Sequence, residues 1–124
     1  MKTILLNVYE NSADVIEIAD NLQAFYKRLG CRLIDIVQRK IGRRWFDVMC
    51  DDEGLFVEEP KISAIDNLGN MMFVGNLMFF RHDKEGNLKG LSEEDLNYIL
   101  DRIQVMGTQK YPEGYLMLTQ CEYR

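Results

Sequence analysis

The side chains best suited to chemistry in this sequence are a run of acids, one histidine, three cysteines and a cluster of arginines around a single tryptophan. Asp51, Asp52 and Glu53 supply hard oxygen ligands of the kind that hold calcium or magnesium. Three consecutive acids in an extended chain cannot all face one ion, however, and the Asp-x-Asp-x-Asp-Gly pattern of a calcium loop is absent. Asx and glycine chemistry already explains Asp51-Asp52-Glu53-Gly54 as a polar turn. His82 is the only histidine, too few for a zinc site and without a recognisable nucleophile to activate. Cys50 and Cys121 lie in no local signature that would place either beside His82. General acid/base work needs two carboxylates across a cleft, and nothing in the spacing places such a pair. The sequence therefore assigns no catalytic residue, no metal and no cofactor.

What it does offer is charge segregation. Lys27, Arg28, Arg32, Arg39, Lys40, Arg43 and Arg44 are accompanied by Asp35 alone, whereas Asp47, Asp51, Asp52, Glu53, Glu58 and Glu59 follow without a lysine or arginine. Arg39, Lys40, Arg43, Arg44 and Trp45 form a basic, aromatic hairpin whose cations could contact phosphates while the indole stacks on a base. Lysines and arginines at a hairpin tip also serve solubility and discourage strand addition, which disfavours the nucleic-acid reading. The acids Asp51, Asp52 and Glu53 are the second binding-surface candidate. A third is Gly75-Asn76 in an otherwise apolar run, where the amide bonds to nearby backbone or else anchors a small ligand in a pocket.

The elements that must position these residues fit within one domain of 124 residues, with 47% apolar and 28% charged content. The formal charge of −5 works against non-specific attraction to phosphates and favours a basic partner. Cys31, Cys50 and Cys121 are odd in number and lack a CxxC pair, so they read as reduced thiols in a cytoplasmic protein. The opening MKTILLNVYE is too briefly apolar for a signal sequence, and no run reaches the roughly 18 apolar residues of a membrane span.

Thr3 to Tyr9 reads as a strand. Asp14 to Ile18 reads as another, followed by a helix capped by Asp20 with Gln23, buried along Leu22, Phe25, Tyr26 and Leu29 and ended by Gly30; a single helix through the whole stretch is the alternative. Leu33–Ile41 and Trp45–Cys50 form a hairpin with Arg43 and Arg44 at its tip. Glu58 to Asn70 is loop-like, and Met71 to Phe80 is a central strand bulged at Gly75. Lys84 to Asn87 turns another hairpin. A helix from Glu93 to Met106 begins at Ser92, where Glu93, Glu94 and Asp95 favour its positive end, and stops at Gly107. Tyr115 to Glu122 is a last strand. The sum is an α+β fold: a mostly antiparallel sheet of about five to seven strands packed on two helices.

Several of these segments resemble a family catalogued as domain of unknown function 3846, found in phages, plasmids and other mobile elements. DVIEIADNLQAFYKRLG (14–30) is similar to its strand leading into a short helix, and CRLIDIVQRK (31–40) to the next strand. FDVMCDDEG (46–54) resembles its strand ending in an acidic turn. FVGNLMFFRHDKEGNLKGLSEEDL (73–96) resembles its central strand, acidic hairpin and closing helix. The likeness spans about residues 2–103 and leaves 104–124 as a C-terminal extension. It implies a structural kinship and a mobile-element origin, and it brings no activity with it.

Composition, missing catalytic constellation and resemblance together point to a small non-enzymatic accessory protein that binds another protein through its acidic surface, with inhibition of a host factor as one version. Two alternatives stand beside it. One is a small-molecule or nucleotide module at Gly75-Asn76 near Arg32 or Arg81, and the other is nucleic-acid binding through Arg39–Trp45.

Overall fold

The computed structural model describes residues Met1–Arg124. Eleven strands and two helices follow in the order β1 (Lys2–Asn7), β2 (Ser12–Glu17), α1 (Leu22–Leu29), β3 (Ile34–Ile41), β4 (Arg44–Asp51), β5 (Ile62–Ile65), β6 (Met71–Val74), β7 (Leu77–His82), β8 (Leu88–Lys89), α2 (Glu93–Leu100), β9 (Ile103–Met106), β10 (Tyr115–Leu118) and β11 (Cys121–Glu122). A short 3-10 turn, Gly54–Phe56, leaves the end of β4. The larger sheet has seven strands in the order β11-β3-β4-β7-β1-β2, with β8 also on β7. A second sheet of four strands runs β6-β5-β10-β9. Its β5/β10 pair is parallel and the other pairings of both sheets are antiparallel. The α+β expectation holds, with a second sheet that the sequence reading did not foresee.

Strand alternation sends each strand's side chains to two different cores. Ile4, Leu6, Phe46, Val48, Cys50, Leu77 and Phe79 face the small sheet and α2, joining Ala64, Phe73, Tyr115, Met117, Leu96 and Ile99 in one cluster. Met49, Met78 and Phe80 point the other way, where Phe25 and Leu29 of α1 and Ile18 cover them. Helix α1 is only eight residues long, so it covers only part of that face. The rest, toward Trp45 and His82, is left open to solvent.

Five local expectations are corrected. Helix α1 is capped by Asn21, whose Oδ1 accepts from the Ala24 N–H at 2.9 Å, rather than by Asp20. Helix α2 ends at Leu100 instead of Met106, because Ile103–Met106 pairs with β10 as a strand; β-branched Ile103 and Val105 suit that pleat. The stretch 58–70 is not all loop, since Ile62–Ile65 is a strand of the small sheet. Met71 to Phe80 is two strands in two sheets: Gly75, at φ 87°, takes a conformation that side chains disfavour and lets the chain step from β6 into β7. The expected last strand is likewise divided into β10 and β11, one in each sheet.

Two five-residue turns share one solution. Asp66-Asn67-Leu68-Gly69-Asn70 and Asp83-Lys84-Glu85-Gly86-Asn87 each fold around the first aspartate, whose Oδ1 accepts two backbone N–H groups while Oδ2 accepts from the asparagine amide. Side-chain oxygens here replace the missing strand partners.

Candidate functional site

The basic hairpin is shorter at its tip than the sequence implies. Ile41 pairs with Arg44, so Gly42 and Arg43 alone make the turn and Arg44 begins β4. Helix α2 docks on this turn: the Tyr98 hydroxyl accepts the Arg43 N–H at 2.6 Å, and a Cβ on Gly42 would strike that hydroxyl. Arg44 donates to Glu94 at 2.6 Å and to Asp95 at 3.1 Å, and its guanidinium lies 4.3 Å from the Tyr98 ring centre. Arg81 grips the same Asp95 with two bonds, 2.6 and 3.0 Å, and donates a third to the Trp45 carbonyl. Asp95 is nearly covered, and the Arg81 guanidinium, assisted by Arg44, holds its carboxyl below the usual carboxylate range against the opposing effect of burial. Arg39 is turned inward between the Phe73 and Tyr123 rings, 5.5 and 4.4 Å from their centres. Among the hairpin cations, Arg39, Lys40 and Arg43 make no ion pair, and of these only Arg39 has aromatic partners.

The acidic end of β4 is built differently. Asp51 Oδ1 accepts the Glu53 N–H at 2.8 Å, closing the expected Asx turn. Glu53 is held by Arg32 in a two-bond ion pair of 2.7 and 3.1 Å, and that guanidinium draws its carboxyl below the usual range. No three His, Cys, Asp or Glu side chains converge as metal ligands would. The chain then projects Leu55, Phe56 and Val57 into solvent, with Phe56 83% exposed. Gly54 sits buried beneath this ledge, where an added Cβ would come within 2.8 Å of the Val74 carbonyl. Between the ledge and α1 lies a cleft of about 710 Å³ lined by Tyr26, Lys27, Cys31, Arg32, Asp51, Glu53 and Phe56 among others. A second of about 430 Å³ adjoins it across Gly30, Asp51 and Val57, and carries Tyr9, Glu10, Glu58, Glu59, Gly75 and Asn76.

Gly75 and Asn76 thus do border a cleft, but the amide is already engaged. Asn76 Oδ1 accepts the Val8 N–H at 3.0 Å and Nδ2 donates to the Leu29 carbonyl at 3.3 Å. It ties β1, α1 and β7 together, satisfying the backbone where the chain changes sheets. The three thiols are poor nucleophiles. Burial pushes Cys31 up to about 11 and Cys50 and Cys121 up to about 12, so little thiolate forms at neutral pH.

A family model described as a domain of unknown function, DUF3846, matches residues 1–104. The chain belongs to that family. Neither a curated protein nor a solved structure matches it. The family match stops just inside β9, so β10 and β11, which complete the small sheet and the edge of the large one, lie beyond it. No helix is long and apolar enough to cross a membrane.

One grouping escaped the sequence reading. His82 Nδ1 lies 2.7 Å from Asp47 Oδ2, and the Asp47 side chain is only 8% exposed. The partner of the lone histidine is a carboxylate 35 residues earlier, not a cysteine. The available signal was Asp47 itself, an acid amid the apolar residues of a strand, which must find a partner when buried. Its identity depends on the β4/β7 register, which places Asp47 opposite Phe80 and so on the same face as His82.

Proposed function

We propose that this DUF3846 member is a small, non-enzymatic, cytoplasmic accessory protein of a phage, plasmid or integrated element, and that it acts by binding another protein through the ledge 51–59. The observation that carries the reading is Phe56, 83% exposed beside Leu55 at 62%, on a turn flanked by Asp51, Asp52, Glu53, Glu58 and Glu59. Large exposed apolar side chains rimmed by charge are what a docking surface presents, and an aromatic anchor typically supplies much of the affinity. The acidic rim favours a partner with a basic surface and steers its approach. Lys40 and Arg43, the hairpin cations with neither an ion pair nor an aromatic partner, give little footing for nucleic acid by comparison.

The test is a pull-down from host lysate with wild type, an unrelated acidic control and a Leu55→Ser, Phe56→Ser double variant. Both positions are exposed, so the variant should unfold at the wild-type temperature. A partner retained by wild type and lost by the double variant is expected. Identical capture by both, or no enrichment over the acidic control, removes the support for this reading.

A further inference from the structure

We infer that the concavity between Trp45 and His82 is a binding site for an amino-bearing nucleobase, adenine or cytosine, stacked on the indole and read along its amino edge by Asp47, His82 and Gln38. The inference is independent of the protein-binding ledge, which lies at the opposite end of β4.

Three neighbouring strands set these groups on one face. Gln38 of β3 is directly opposite Asp47 of β4, and His82 lies beyond Phe80, the residue opposite Asp47 on β7. Trp45 stands two residues before Asp47, on the same side, with 48% of its surface exposed. Helix α1 stops short of this part of the sheet, leaving a pocket of about 180 Å³ lined by Gln38, Trp45, Phe46, Asp47, Arg81 and His82. That is below the roughly 300 Å³ at which drug-sized pockets begin, so it admits one ring system and no more. A shallower groove of about 390 Å³ shares Gln38, Asp47 and His82 and continues past Ile36 and Leu88, where a sugar can lie.

Asp47 and His82 hold each other in place while their other polar atoms stay free. His82 Nδ1 lies 2.7 Å from Asp47 Oδ2; in the neutral imidazole a proton on Nδ1 pointing at this carboxylate leaves Nε2 as an acceptor. Asp47 Oδ1, His82 Nε2 and the Gln38 amide have no protein partner within hydrogen-bonding distance. Arg81 is locked on Asp95 and on the Trp45 carbonyl, which steadies the backbone carrying the indole. Replacing a buried ion pair by apolar residues of similar size is often neutral for stability, so Asp47 buried beside an exposed tryptophan points to recognition. Two adjacent acceptors suit the two hydrogens of an exocyclic amine, and the glutamine amide can donate to the neighbouring ring nitrogen. Adenine and cytosine carry that amine beside an acceptor ring nitrogen, whereas on guanine's pairing edge the amine sits beside a ring N–H that would oppose the glutamine donor. Uracil presents a carbonyl oxygen in its place, opposite acceptors, and a site built for a donor rejects a ligand lacking it. The aromatic face supplies the stacking that every base can use.

Trp45 is the sole tryptophan, so its emission reports on this site alone. Wild type is titrated with adenosine, cytidine and uridine, with calorimetry as an absorbance-free check, and with short oligo(dA) and oligo(dC) to separate a free nucleoside from a base within a strand. Saturable quenching by adenosine or cytidine, at least about tenfold weaker for uridine, is expected. Gln38→Leu, at an exposed position, should weaken the preferred nucleoside by about tenfold and narrow the gap to uridine while the unfolding temperature holds. A flat titration with every nucleoside overturns the inference, as does equal binding of uridine or binding confined to the oligonucleotides.

Discussion

The two ends of β4 carry opposite charge and were given opposite treatment by the fold. At its start, Arg44 is drawn onto Glu94 and Asp95, Arg81 joins them, and Arg39 is stacked between two rings. At its finish, Glu53 alone is ion-paired, by Arg32, and the remaining acids flank a ledge whose Leu55 and Phe56 are largely exposed. A cluster of charge in sequence is therefore a poor guide to charge available for binding. Arg44 is spent on attaching α2 to the sheet and Arg39 on two rings, whereas the acidic cluster apart from Glu53 stays on offer.

The largest effect should come from breaking that attachment. Asp95 accepts three bonds from two guanidiniums that themselves reach solvent. Asp95→Asn is expected to cost about 2 to 3 kcal/mol, the range for hydrogen bonds to charged groups, in urea unfolding at neutral pH. The Ser92 cap, whose Oγ accepts the Asp95 N–H, survives the change. Because the folded carboxyl is held below its ordinary value, chiefly by Arg81, its contribution is fully present above the unfolded value of about 3.9. It is lost as pH falls through the lower folded value. The gap between wild type and variant should close on that acid side; a gap that stays constant down to pH values below the ordinary carboxylate range would show that α2 is held by its apolar contacts alone.

The other end is tested by Gly54→Ala. The added methyl meets the Val74 carbonyl at 2.8 Å, and crowding of this kind costs about 1 to 2 kcal/mol when the backbone must yield. The signature sought is local: faster amide exchange through residues 53–57 with α2 unchanged. If exchange rises everywhere alike, the ledge is not an independently seated piece.

Much of this architecture was legible in the chain, and the failures have a common cause. Ser92 before three acids and Gly30 after Leu29 specify helix ends through their own backbone chemistry, and both serve as read. The β3–β4 hairpin was equally local, set by Gly42 between two alternating runs. By contrast, Ile103–Met106 continues a helical pattern until β10, more than eight residues later, offers it a strand partner. Ile62–Ile65 becomes a strand only because β6 and β10 flank it. The same holds for the candidate sites. Asp51's turn is contained within three residues and was visible, while the pairing of Asp47 with His82 and of Arg44 with Asp95 requires knowing which strands and helices meet. Local chemistry writes turns and caps; partners across the sheet appear only with the register.

The smallest expected effect is on nucleic acid. With Arg39 stacked inward and Arg44 on Glu94 and Asp95, Lys40 and Arg43 are the hairpin cations with neither an ion pair nor an aromatic partner. Counterion release from two phosphate contacts would lower affinity by only about one decade between 50 and 200 mM salt, against three to five decades for six to ten contacts. Two contacts also supply too little attraction to offset the net charge of −5. Wild type should give no appreciable gel shift with duplex or single-stranded DNA near about 150 mM salt, where charges more than about 8 Å apart are largely screened. Arg43→Gln with Arg44→Gln should leave that blank result unchanged while lowering stability through the lost contact with α2. A salt-sensitive shift in wild type that this double variant abolishes would mean that Arg44 can leave Asp95 for a phosphate. The contrast between the spent and the available ends of β4 would then fail.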